Sequence, residues 1–474
     1  MAGITSYGAY VPYYRLSRGE IAKAWGGYAG GGGRSVANWD EDTITMAVES
    51  VIDCLRGIDR GTVDGLMFAS TSAPFKEKQS SAVVAQATDL KRDLFSIDCG
   101  GSLRAGTSAL KLALDAVKSG SQKSVLVTAS ECRLGAPQSG LEQNLGDGAG
   151  ALLIGDKDVA VEIEDVYSLT DEFTDLWRRE DDQFIRSWEE RFITTQGYDR
   201  LLPEAVAGAL KKFNLTPQDF TKIVYPGPDA RAHGRILKSL GFTPAQVQDP
   251  LFDVMGNTGT AFSIMLLIAA LEEAKAGDRI LLTSYADGAD VFNLRVTKNI
   301  EEIRNRRGIK GNLATAKPLA SYNRYLLFRN LVSREGEAPL PTAYASLPME
   351  WRDRKSLIAL HGSKCKKCGE VQFPIERVCP KCLSKDDFEE ISFATRNAKI
   401  MSYNVDYVTA TADPPNVMVQ VDFDGGGRIQ CVMTDRDLDE IEVNMPVEMT
   451  FRKFHQERNI VHYYWKARPI RGIQ

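Results

Sequence analysis

Two stretches of the chain repeat one pattern of hydrophobic and polar positions. LFSIDCGGSLRAGTSALKLALDAVKSG begins at Leu94 and LFDVMGNTGTAFSIMLLIAALEEAKAG at Leu251. Each runs Leu-Phe, a short apolar strand, a glycine-rich turn, then an amphipathic helix ending at Gly120 or Gly277. A further apolar strand follows each, SVLVTAS or RILLTSY. Equal spacing over two strand–turn–helix–strand units predicts two similar α/β halves with helices packed on a sheet. The apolar run AFSIMLLIAAL from Ala261 is too short to span a bilayer and reads as a buried helix.

The pattern changes after about residue 330. A helix is predicted over Tyr322–Arg334, then a Pro-rich connector, then two CxxC pairs. Beyond them MSYNVDYVTA, NVMVQVDF, RIQCVMT, PVEMTFRKF and IVHYYWKA alternate with period two between turn residues, which predicts a small five-stranded barrel of the OB type. The expected domains are residues 1–165 and 166–335 for the two halves, 350–390 for the CxxC segment with its preceding helix, and 391–474 for the barrel. The glycines of GGYAGGGGR (26–34) do not follow a strand and open a helix, so a surface loop is expected there rather than a phosphate cradle.

At 474 residues the chain exceeds one core, and 43% hydrophobic with 26% charged residues is ordinary for a globular protein. A net charge of -5 argues against nucleic acid as the main partner, while a local basic pocket remains open to an anionic ligand. The start MAGITSYGAYVPYY has neither a basic nor an apolar signal region, so no export signal and no membrane association are expected. Four of the eight cysteines sit in the CxxC pairs and four are scattered, which is no disulfide framework; a cytoplasmic location is expected.

Two features carry chemistry. Cys365, Cys368, Cys379 and Cys382 form a CxxC-x10-CxxC array whose four thiolates suit a closed, structural zinc site; iron in a rubredoxin-like setting or a redox pair are the alternatives. Cys99 stands between the strand and the helix of the first repeat. A helix N-terminus there would lower its pKa, and the small residues of the turn would admit a carbonyl, making it a candidate nucleophile. The competing assignment is an inert buried cysteine, which Cys54, Cys132 and Cys431 also fit.

The segments RSVANWDEDTITMAVES, the Cys99 turn, NLGDGAGALLIG and GNTGTAFS together resemble the thiolase superfamily, most closely the hydroxymethylglutaryl-CoA synthase and ketoacyl-ACP synthase III branch. Residues 350–474 are similar to the zinc-ribbon and OB-fold proteins that accompany thiolases. The resemblance implies a duplicated α/β/α/β/α body with a C-terminal zinc ribbon and small OB-type barrel. It also implies an acyl-CoA-dependent acyltransferase that carries the acyl group as a thioester on Cys99, with coenzyme A thioester as substrate. Asn257 would orient the acyl or enolate oxygen, Arg231 and Arg235 would contact CoA, and a homodimer and a thiolase partner would be the assembly. Two positions depart from the pattern: Thr71 stands where the family has its general-base glutamate, and Pro226 where it has histidine. Neither can serve as acid or base near neutrality. His233 or Tyr225 would have to substitute, with an incidental histidine as the alternative for His233. The other function compatible with these departures is a catalytically degenerate scaffold or CoA-binding subunit of a thiolase or thiolase-like aldolase complex.

Overall fold

The computed structural model describes residues 1–28, 30–332, 346–457 and 460–471. The Pro-rich connector falls outside these residues, apart from its edges. Nine strands of the body form one hydrogen-bonded sheet. They are β1 (Gly3–Tyr10), β2 (Gly65–Ala69), β3 (Phe95–Cys99), β4 (Ser124–Glu131), β5 (Gly148–Gly155), β6 (Val161–Thr170), β7 (Lys222–Val224), β8 (Arg279–Thr283) and β9 (Gly288–Val296), in the order β7-β8-β9-β6-β1-β5-β4-β2-β3. The helices that position them are α1 (Thr43–Cys54), α2 (Ser80–Ala87), α3 (Ala105–Lys118), α4 (Asp199–Phe213), α5 (Ala230–Leu240) and α6 (Phe262–Leu271).

Alternation along the strands sorts these elements into layers, because successive side chains point to opposite faces. In β2, Leu66 and Phe68 join a core with α1 and α2, while Met67 and Ala69 join one with α3 and α6. In β8, Ile280 and Leu282 face α6, and Leu281 faces α4 and α5. The order is therefore helices, half-sheet, the central pair α3 and α6, half-sheet, helices. Helix α6 is buried at all ten positions, as its all-round apolar sequence predicts. No described helix is long and apolar enough to cross a membrane.

The two halves meet where β6 touches β1 at two residue pairs only, whereas β6 pairs with β9 along its whole length. Strand β6 runs across the 165/166 boundary expected from the sequence. The second repeat differs from expectation in one respect: residues 251–255 form a turn, not a strand. Their backbone bonds go elsewhere. Asp253 O and Met255 O accept from the N–H groups of Gly33 (2.8 Å) and Ser35 (2.9 Å), and Asn257 N donates to Asn144 O at 2.7 Å. A side chain at Gly146 would place its Cβ 1.9 Å from Met255 O, so glycine alone permits this contact. The glycine-rich stretch before it is likewise only partly loop. Gly33–Val36 is a strand, and Arg34, 3% exposed, lies over the Tyr325 ring, where burial replaces the expected surface position. The predicted helix at Tyr322 ends at Phe328.

The C-terminal segment begins with α7 (Leu347–Leu357) and a three-stranded ribbon of β10 (His361–Cys365), β11 (Val371–Gln372) and β12 (Phe388–Ser392). Five barrel strands follow: β13 (Ala398–Asp406), β14 (Asn416–Phe423), β15 (Arg428–Val432), β16 (Pro446–Glu457) and β17 (Ile460–Pro469), ordered β15-β14-β13-β16-β17. A bridge from Met433 to Ala467 brings the two ends together. The barrel rests on α1: Ile44, Val48 and Val51 share a core with Val419, Phe451 and Trp465. Around it runs a buried charge network. Arg452 and Lys466 pair with Asp40 (3.2 and 2.8 Å), Arg452 with Glu41 (2.8 Å) and Arg468 with Glu49 (2.5 Å). These pairs cross from body to barrel, and although Arg452 and Arg468 also have Asp435 and Glu448 within the barrel, parting the two would leave Asp40, Glu41 and Glu49 of the body without these partners.

Candidate functional site

Strands β2, β3 and β4 run parallel and end in register, with Ala69 opposite both Cys99 and Ala129. Ligands of α/β sheets bind beyond such C-terminal edges. Across from these ends lie the loops that follow the parallel strands β7 and β8, residues 225–229 and 284–287. Between the two sets opens a cavity of about 220 Å³, walled by Leu103, Arg133, Leu141, Tyr198, Asn257 and Phe262 among others. A larger cleft of about 900 Å³ separates body from barrel. Several charges there are already engaged, Arg307 and Arg468 with Glu448 and Arg471 with the Tyr10 hydroxyl, so the smaller cavity is the better site.

Asn257 is held firmly in that wall. Its Oδ1 accepts from Gly259 N at 2.8 Å and, more loosely, from Arg133 Nη2 at 3.4 Å, while Nδ2 donates to Gly227 O at 2.9 Å. One Nδ2 hydrogen stays available to an acyl oxygen, and the amide cannot flip without losing the contact with Gly227. Pro226 is also in the wall, its carbonyl accepting from Tyr198 Oη at 2.8 Å.

The other expected site residues stand apart from the cavity. No described cysteine lines it; Leu103 does. Cys99 ends β3 and packs against the central core, and helix α3 starts only at Ala105, beyond a turn with Gly101 at φ +82°. The expected helix-terminus activation is therefore replaced by its opposite. Burial first, and Asp98 second, push the Cys99 thiol above its ordinary value. Thr71 donates from Oγ1 to Glu131 Oε2 at 2.9 Å. Glu131, which the sequence did not single out, is fully buried and also accepts from Thr260 Oγ1 (2.6 Å) and from Ser72 Oγ, so its oxygens are spent on pinning the strand ends. His233 stacks on Tyr225 at 3.9 Å, 5% exposed, behind Gly227, and burial lowers its pKa to about 4. Tyr225 Oη donates to His233 O at 3.1 Å. Arg231 and Arg235 lie on the exposed face of α5, Arg235 clasping Asp199 with two 3.0 Å bonds.

The four ribbon cysteines converge. Their sulfurs all lie within 4.8 Å of one another, with Cys365–Cys382 at 3.6 Å and Cys368–Cys379 at 3.5 Å. A tetrahedron with Zn–S bonds of about 2.3 Å has edges of about 3.8 Å, so the donor set and its spacing fit zinc with no open coordination position.

Comparison with known proteins supports both parts. Residues 358–389 match the family model described as "ChsH2, rubredoxin-like zinc ribbon domain", and residues 393–452 the "ChsH2, C-terminal OB-fold domain". The hydroxymethylglutaryl-CoA synthase of Methanosarcina mazei is 35% identical over 337 residues, covering 68% of this chain and 96% of that protein. That of Methanopyrus kandleri is 33% identical over 335 residues, covering 68% and 95%. A crystal structure of HMG-CoA synthase complexed with CoA superposes with a TM-score of 0.60 at 20% identity, over 68% of this chain and 89% of that one. The 3-oxoacyl-[acyl-carrier-protein] synthase III of Aquifex aeolicus gives 0.55 at 21%, over 62% and 100%. The fold is thiolase-like, with a zinc ribbon and an OB barrel appended.

Proposed function

Because the chain belongs to the hydroxymethylglutaryl-CoA synthase family of acyltransferases, we propose that it takes an acyl-CoA into the cavity around Asn257 and holds it without a covalent bond. One observation carries this. Asn257, locked with a free amide hydrogen, shares the cavity with the apolar Leu103, and no described thiol reaches the walls. The carbonyl is oriented there, but the described walls offer it no thiol. Thr71 and Pro226 offer no acid or base, and the carboxylate of Glu131 is saturated with hydrogen bonds. Condensation on this chain alone is slow, and a thiolase-type partner completes the transfer.

The surface supports such an assembly. Strand β3 is the edge of the sheet, with Phe95 53% exposed, and an open edge is suited to pairing with a second copy. Tyr407 and Val408, 77% and 93% exposed in the loop that follows β13, suit a thiolase-type partner. Arg231, exposed on α5, would meet the CoA phosphates, with Arg235 joining it on release from Asp199.

A second function, acyl transfer through a thioester on Cys99, is favoured by the half-buried position of that thiol at the end of β3. Calorimetric titration with butyryl-CoA and intact-mass measurement on the same sample decide between the two. Saturable binding with unchanged mass is the expected result. An acyl adduct that vanishes in Cys99→Ala would replace non-covalent binding by the thioester.

A further inference from the structure

Three described carboxylates line the cavity around Asn257, and they differ in how they are engaged. Asp229 caps helix α5, accepting from Ala232 N at 2.8 Å. Glu190 is exposed to solvent. Asp175, just before the short strand Leu176–Trp177, is half-buried. Its Oδ1 accepts from Leu176 N at 2.5 Å, and no described cation forms an ion pair with it. The Tyr285 hydroxyl, buried in the same wall, approaches this carboxyl without closing a hydrogen bond. Burial raises the Asp175 pKa above its ordinary value, against the hydrogen bond from Leu176 N. A carboxylate so placed is a stronger base than one in water.

The opposite groups polarise what Asp175 would act on. Asn257 Nδ2 keeps one hydrogen for a thioester oxygen, and Arg133 Nη2 lies 3.4 Å from Asn257 Oδ1, so a cation stands beside that amide. Both favour negative charge on the bound oxygen. Asp175 in turn acts on Arg133 through space, within a cavity of only about 220 Å³. A base and a polarised carbonyl in one pocket suit removal of a proton from the carbon next to the thioester. We infer that Asp175 is the general base of this cavity, exchanging the α-protons of a bound acyl-CoA with solvent. The C–H electron pair becomes the enolate double bond, and the carbonyl π pair moves onto the oxygen held by Asn257. The proton passes to Asp175, and reversal of both steps returns a proton drawn from solvent. No thiol takes part, so exchange proceeds where condensation on this chain alone is slow. This inference rests on acyl-CoA being the ligand of the cavity.

The test is incubation of the full chain with butyryl-CoA in deuterium oxide. Mass spectrometry and proton NMR read α-deuteration, and calorimetry reads butyryl-CoA affinity on the same samples. The native chain should exchange the α-protons at a rate that saturates with butyryl-CoA. Asp175→Asn should slow the exchange about 100-fold or more while still binding butyryl-CoA. Asp175→Glu, which keeps a displaced carboxylate, should retain part of the rate and serves as the second variant should the first fail to fold. Exchange that survives in Asp175→Asn, or that is lost in Glu190→Gln instead, would overturn the assignment. A native chain that binds butyryl-CoA and leaves it undeuterated would overturn the inference and leave acyl-CoA as the ligand. Failure to bind butyryl-CoA would overturn both.

Discussion

The guanidinium of Arg133 occupies the space that a side chain at Gly259 would fill. A Cβ there would stand 2.7 Å from Arg133 Nε and 2.8 Å from Glu131 Cγ, and the backbone at Gly259 has φ +56°. Both packing and conformation therefore demand glycine. Gly259→Ala should lower stability by about 1–3 kcal/mol, combining left-handed strain with displacement of a buried ion. It should also weaken acyl-CoA binding, because Gly259 N holds Asn257 Oδ1 in place. Urea denaturation and calorimetric titration measure the two effects.

Leu103 marks where a nucleophile would have to stand to reach a ligand oriented by Asn257. Placing a thiol there with Leu103→Cys should make the cavity reactive. Bromoacetyl-CoA should alkylate this variant stoichiometrically, the sulfur displacing bromide, and should leave the native chain largely unlabelled. Peptide mapping after labelling reads the site. Modification of Cys99 in the native protein at a comparable rate would show that the CoA ligand meets that thiol instead.

Much of this architecture was legible in the sequence, for physical reasons. Period-two alternation marked the barrel strands, with NVMVQVDF matching Asn416–Phe423 end to end, and the apolar run at Phe262 marked a wholly buried helix. The ribbon was written in its CxxC spacing. Residues 251–255 misled because LFDV reads as a strand while its backbone bonds are taken by Gly33 and Ser35, more than 200 residues away in sequence. At the site, the resemblance of the GNTG turn drew attention to Asn257, which lines the cavity, whereas nothing in the sequence drew attention to Arg133. A lone arginine after a strand looks like any solvated end, and only the fold reveals that it is buried and short of partners. Cys99 drew attention by residue type, but its surroundings set its chemistry, and local sequence does not report burial.

The ribbon predicts one zinc per chain. Metal analysis should give near-stoichiometric zinc, and Cys365→Ser should lose it along with order in residues 358–389, because metal binding and folding of such a site are coupled. The body, with its own cores, should remain folded, which far-UV circular dichroism and limited proteolysis would show. Stoichiometric iron in place of zinc would contradict the assignment.

His233 predicts how stability responds to acid. Its ring is buried against Tyr225, and burial lowers its pKa from 6.5 to about 4. Between those values the unfolded chain binds a proton that the folded chain refuses, so stability rises with pH across this window and falls on acidification through it. The full effect of that shift is roughly 3 kcal/mol. Other groups titrate nearby with the opposite sign: burial raises Glu272 to about 7, which makes stability fall as pH rises between about 4.5 and 7. The informative quantity is therefore the difference between native protein and His233→Phe, which keeps an aromatic ring on Tyr225 and cannot titrate. Urea unfolding from pH 7 to pH 4.5 should show the variant gaining on the native protein steadily as pH falls. A constant difference across that range would mean that His233 accepts its proton in the folded state as readily as in the unfolded one.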